Sequence, residues 1–246
     1  MDNGVMQVLN LWKQDLKEVP ASIWQQAGLR ALILADNGLT AVPPEIGRLR
    51  SLHTLDLGHN ALTAVPEELG ELTALTGFLY LHDNRLTKLP HSLGQLTRLG
   101  YLNVSENRLA ELPDAIGDMT GLIELRAQHN QLTTIPGSIG NLSRLRDLWL
   151  RGNAITQLPD SVGRLAELRH LDLRDNALTE VPRPLAGLPL LRRLDLRGNR
   201  ITTLPDWLTR LPSLEKLDLR WNDIDPPARL LDALAARGCV VLGPAA

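Results

Sequence analysis

Histidine and carboxylate side chains recur along this 246-residue chain at a spacing that could hold a cation. Asp36, His59, Asp83, Glu106 and His129 follow one another at intervals of 23 or 24 residues, with His82 beside Asp83. If each interval is one turn of a coil, successive members lie about 5 Å apart, and imidazole and carboxylate are both zinc ligands. No local ligand motif accompanies them, and an exposed rim needs polar residues in any case. No metal and no other cofactor is therefore expected. Enzyme signatures are equally absent: the sequence holds no Gly-rich phosphate loop, no His-Glu-x-x-His and no Gly-x-Ser-x-Gly, and its glycines follow the repeat period instead.

Composition says what must position such residues. There are 54 Leu but only 5 Trp, 2 Tyr, 1 Phe and 3 Met, so the core is built almost entirely from one residue type. Lys and Arg total 26 against 28 Asp and Glu, a net charge of -2, which lacks the basic footprint of a nucleic-acid binder. The one cysteine, Cys239, can form neither an internal disulfide nor a cysteine zinc cluster. The first residues lack the features of a cleavable signal, and no apolar run is long enough to span a membrane. The reading is a cytoplasmic protein, or one exported without a cleavable signal peptide, monomeric and without a membrane partner. The 22 Arg against 4 Lys, with abundant Ala, Gly and Pro, look like translation of a GC-rich bacterial genome.

Self-similarity decides the architecture. Asn stands at 37, 60, 84, 107, 130, 153, 176, 199 and 222, every step being 23 residues except the 24 from Asn60 to Asn84, and Gln14 extends the series upstream. Around each Asn the frame is apolar at -8, -5, -3 and +2, then apolar-Pro at +5 and +6, as in Leu145, Leu148, Leu150, Asn153, Ile155, Leu158 and Pro159. From -6 to -2 apolar and polar alternate, the pattern of a half-buried strand. Each coil thus offers one short strand, stacked coils pair these strands in parallel, and the Asn amide serves the turn that follows. Pro at +6 fixes φ and removes a donor, which suits short helical turns on the outer wall. The extra residue of the 24-residue unit, near Gly77 and Phe78, calls for a bulge.

Ten in-frame units of this Leu-Pro-x-x-Ile-Gly-x-Leu style resemble the leucine-rich repeat family, most closely the group that includes Ras-pathway scaffold proteins, plant intracellular Ras-group repeats and many bacterial repeat proteins. The resemblance implies an α/β fold: a right-handed solenoid, or horseshoe, of about ten coils with a parallel concave sheet and short helical turns on the convex side. It also implies a non-catalytic module that binds a protein partner on the concave face, with a small GTPase or a kinase-pathway protein as the candidate. The whole of 1–246 is expected to be one domain. Residues 1–28 form a degraded capping repeat, with Gln14, Trp24 and Gln26 in place of Asn, Gly and Leu; 29–224 are regular repeats. Residues 225–246 form a C-terminal cap, in which Asp225, Pro226 and Pro227 supply the cap and first turn of an amphipathic helix, Gly238 ends it, and Cys239 to Leu242 add a final strand or a lid over the last coil.

An open sheet face places a partner over the outward positions, which line up as columns from coil to coil. Trp12, Phe78, Tyr80, Tyr101 and Trp149 fall in them, five of the eight aromatic residues; large exposed aromatics are typical interface anchors. Arg126 and Arg151 stand beside them. Further along, Arg151, Arg174, Arg197 and Arg220 share one column, flanked by Asp172, Asp195 and Asp218. They form either a self-neutralised ladder or a strip that steers an acidic partner. The charge is uneven, with 10 basic and 15 acidic residues in 1–140 against 14 and 10 in 141–222. Two alternatives fit the same sequence: a bacterial effector that binds a host protein, and a metal-binding or metal-dependent protein using the rim of Asp36, His59 and Asp83.

Overall fold

The computed structural model describes residues 7–243, apart from Pro226. Each coil contributes a three-residue strand: β1 (Val8–Asn10), β2 (Ala31–Ile33), β3 (Thr54–Asp56), β4 (Phe78–Tyr80), β5 (Tyr101–Asn103), β6 (Glu124–Arg126), β7 (Asp147–Trp149), β8 (His170–Asp172), β9 (Arg193–Asp195) and β10 (Lys216–Asp218). They pair in parallel and in sequence order, forming one open sheet that ends with an eleventh strand, β11 (Val240–Leu242). The register is in phase throughout: Leu9 faces Leu32, Leu32 faces Leu55, Leu55 faces Leu79, and so on. The inward leucines therefore stack as continuous columns, and Leu55, Leu57, Leu79, Leu81, Leu148 and Leu150 are fully buried. A single coil has nothing to bury these side chains against, so the stack is the unit of stability.

The Asn expected at each turn is the bond between coils. Asn107 Oδ1 accepts the amide of Leu86 at 2.9 Å, while its Nδ2 donates to the carbonyls of Leu81, Val104 and Ser105. Two of those four partners belong to the preceding coil. The same arrangement repeats from Asn37 to Asn222, so each Asn completes the turn of the coil before it. Gln14, in the first described coil, keeps only the bond to the carbonyl two residues back, donating to Trp12.

On the outer wall each Leu-Pro is followed by a five-residue 3₁₀ turn, such as Asp114–Asp118 after Pro113. Its apolar residue and its glycine are buried. A Cβ on Gly117 would lie 2.4 Å from the Ser138 carbonyl of the next coil, so the coils stack this closely only over glycine. In the first coil Trp24 takes that position and is itself buried, closing the core.

The C-terminal cap holds α1 (Ala228–Ala236), which buries Leu230 and Leu234. Its N-cap is Pro227 with no side-chain capping bond, so Asp225 does not cap it as expected; Pro226 lies outside the described residues. Gly238 leaves the helix at φ +79°, and β11 then covers β10. Cys239 is buried, and burial pushes its thiol pKa up, the signature of a packing residue.

The surplus residue of the 24-residue coil does not interrupt β4, which keeps its register with β3. It is absorbed just ahead, at Thr76–Gly77. The amides of Gly100 and Tyr101 donate to Thr76 and Gly77 separately, whereas in the next coils two adjacent amides share one carbonyl, as Ile123 and Glu124 do on Gly100. The bulge is thus in the approach to the strand, and Phe78 enters the sheet aligned with its neighbours.

Candidate functional site

Because the register is in phase, outward side chains at equivalent positions stand side by side across the sheet. Strands β4 to β7 bring Phe78, Tyr80, Tyr101, Arg126 and Trp149 together. Phe78 and Tyr80 lie parallel, with ring centroids 5.9 Å apart and planes 10° apart. Tyr101 tilts against both, 5.4 Å from Phe78 and 5.2 Å from Tyr80. The Arg126 guanidinium lies 5.6 Å from the ring centres of both Tyr101 and Trp149, joining the two ends of the patch by cation–π contact. It is held there by a 2.6 Å bond from Nε to Glu124 on the same strand. Burial opposes the Arg126 charge, but the Glu124 bond and the nearby tyrosines hold its pKa above the ordinary value. Burial likewise raises the pKa of both Tyr80 and Tyr101, which remain neutral phenols. Phe78 remains 46% exposed, and the Trp149 indole N–H has no hydrogen-bond partner.

Trp12 does not join this patch. It is 56% exposed and shares an open basin with Asp36, His59 and Asp83.

The arginine column differs in kind. Arg174 forks onto Asp172 with Nε and Nη2, Arg197 onto Asp195, and Arg220 onto Asp218. Arg174 and Arg197 also reach the Asp of the following strand, at 3.4 and 3.3 Å. The carboxylates are covered in the process: Asp172 and Asp218, expected to face outward, are almost fully buried. Burial works against the Asp218 charge, yet bonds from Arg220 and the charge of Arg197 hold its pKa down. Arg151 pairs with Asp175 at 2.9 Å. The strip is thus a neutralised ladder, and among the described residues of this face Arg193 and Lys216 are cations without an ion pair.

The rim residues share a backbone cause that the sequence did not disclose. Asp36, His59, Asp83, Glu106, His129 and Asp175 all have φ between +50° and +58°, the left-handed region, with Gly152 and Gly198 at the same position of their coils. Short polar residues and glycine tolerate that conformation best, so a polar rim is first a requirement of the turn. Trp221 adopts it too, at φ +59°, and lies 62% exposed between Arg197 and Arg220. Among the rim residues named for metal binding, His59 and Asp83 meet, Nδ1 to Oδ2 at 2.7 Å. No group of three or more His, Cys, Asp or Glu side chains converges among the described residues.

Two family profiles match the chain: one described as a leucine-rich repeat region over residues 136–234, the other as leucine rich repeat over residues 27–77 and 78–132. No curated protein sequence matches. Among solved structures, a leucine-rich repeat protein of Leptospira interrogans is 28% identical with a TM-score of 0.72, the alignment covering 96% of this chain and 77% of that one. The ectodomain of the Arabidopsis thaliana receptor kinase GASSHO1/SCHENGEN3, in complex with Casparian strip integrity factor 2, is 31% identical with a TM-score of 0.79, covering 91% of this chain and 28% of its own. The Arabidopsis receptor kinase HAESA, in complex with the peptide hormone IDA and a co-receptor, is 28% identical with a TM-score of 0.77, covering 91% and 40%. The chain spans less than half the length of either plant receptor. With its in-phase leucine columns, its Asn turns and matches that together run from residue 27 to 234, the chain belongs to the leucine-rich repeat family.

Proposed function

We propose that the chain is a non-catalytic recognition module that binds a protein partner on the concave face of its sheet, through Phe78, Tyr80, Tyr101, Arg126 and Trp149. The observation that carries this reading is the unbroken run of rings and guanidinium across four adjacent strands. These residues are rigidly placed by the register, and the residue types are those that dominate interface energetics. Of the structurally similar proteins, HAESA is seen with a peptide hormone, which favours an extended segment of a partner as the element recognised here. The Ras-group style of the repeats makes a small GTPase or a signalling-pathway protein the first candidate, with the chain acting as a cytoplasmic scaffold. A bacterial effector with a host-protein target is the second reading, favoured by the arginine-rich composition and the Leptospira relative.

Affinity capture from matched bacterial and eukaryotic lysates tests both. The intact protein is compared with the triple variant Tyr80→Ala, Tyr101→Ala, Trp149→Ala, with its fold checked by circular dichroism. A partner held by the first and lost by the second supports the patch, and its lysate of origin separates the two readings. Equal capture by both proteins overturns the assignment of the site.

A further inference from the structure

We infer that His59 and His82 form a two-imidazole site for a zinc-class divalent cation at the edge of the open basin beside Trp12, which His59 lines. Their Nε2 atoms are 3.2 Å apart, and the rings meet edge to face with centroids 4.6 Å apart. Two nitrogens on one tetrahedral zinc, each about 2.0–2.1 Å from the metal, are separated by about 3.3–3.4 Å. The pair therefore already has the bite of a chelate. Three surrounding features set the state of the pair. The Nδ1–H of His59 is taken by Asp83 Oδ2 at 2.7 Å, which leaves its Nε2 as the lone-pair nitrogen and supplies the carboxylate–histidine support typical of metal sites. His82 is seated by Gly58 of the preceding coil, where a Cβ would lie 2.4 Å from its Cε1, so the pairing depends on the one residue without a side chain. The His82 Nδ1 is buried without a partner, so moving the proton onto it when Nε2 is metallated carries a desolvation cost, which the nearby Asp56 carboxylate reduces electrostatically. His59 and Asp83 are half exposed, and Asp36 lines the same basin, leaving the remaining coordination positions open to water or to an incoming group.

The test is calorimetric titration of the full chain with Zn²⁺ alone. One ion per chain is expected. His59→Gln and His82→Gln should each abolish the site, and Asp83→Asn should weaken it about 10- to 100-fold. Gly58→Ala, which removes no ligand but displaces His82, should weaken it comparably, whereas His129→Gln, three coils away, should leave it unchanged. Circular dichroism checks the fold of each variant. Absence of zinc uptake by the parent protein, or uptake by His59→Gln and His82→Gln equal to that of the parent, would show that the imidazoles only share a proton and would overturn the assignment.

Discussion

Strands β4–β7 and β8–β10 stand on the same scaffold and present opposite surfaces. Both have in-phase leucines inside and an Asn at every turn. Just past β8, β9 and β10, Arg174, Arg197 and Arg220 are each forked onto the Asp that ends the strand, and two of them also reach the next Asp, so that column is neutralised internally and Arg193 and Lys216 are left as the unpaired cations among the described residues of that face. On β4–β7 the aromatic rings touch one another and Arg126 while Phe78 stays largely exposed. A regular solenoid thus differentiates its surface by what the outward residues leave unsatisfied: a saturated ladder stiffens, and an aromatic cluster remains free to gain by contact.

If that contrast is right, the largest effect lies in partner affinity. Tyr80→Ala, Tyr101→Ala and Trp149→Ala should each cost roughly 2 to 4 kcal/mol of binding, measured by surface plasmon resonance on a captured partner, while Arg174→Ala on the ladder should leave it within threefold. The scaffold, by contrast, should not distinguish the regions: Asn107→Ala and Asn199→Ala should each destabilise by about 2–3 kcal/mol in urea unfolding, because each leaves several buried backbone groups unpaired. Unequal losses would break the claim of a common scaffold. Asp218→Asn should cost about 1–2 kcal/mol at neutral pH. Since the folded Asp218 pKa lies below its unfolded value, that contribution is complete above the usual carboxylate range and is lost as the pH falls through the lower folded value. Acid unfolding of the parent and the variant should therefore converge. The smallest effect is at His82, whose pKa is lowered by burial first and by His59 second. The neutral ring stabilises the fold above about pH 6.5 and less as the pH drops. Thermal unfolding should show a shallow decline from pH 7 to 5 in the parent and a flatter one in His82→Gln.

The solenoid was legible because it is written ten times: Leu145, Leu148, Leu150 and Asn153 announce burial and turn through spacing alone. The aromatic patch was legible for the same reason, since a common register turns columns of sequence into neighbours in space. What escaped were events set by single side chains. The His59–His82 contact joins two different columns and depends on the missing side chain of Gly58, so neither column contained it. The identity of the rim followed from a left-handed φ that no periodicity states. Trp12 fell in a predicted column yet stands apart, because that column continues through Ala35 and Gly58, which carry no ring. At the C-terminus, Asp225 has the composition of a cap, but Pro227 occupies the position.

The Asn ladder has a direction. Each amide closes hydrogen bonds in the coil before it, so coil n is finished only by coil n+1. During synthesis the most recently emerged coil is therefore always the unfinished one, and it is completed when the next 23 residues have left the ribosome. Truncation therefore opens a different set of groups at each end: removing a coil from the C-terminal side strands turn amides of its predecessor, such as Leu86 on Asn107, whereas removing one from the N-terminal side strands donors of its successor, such as the Asn107 side-chain amide on Leu81 and the Arg108 amide on Leu86.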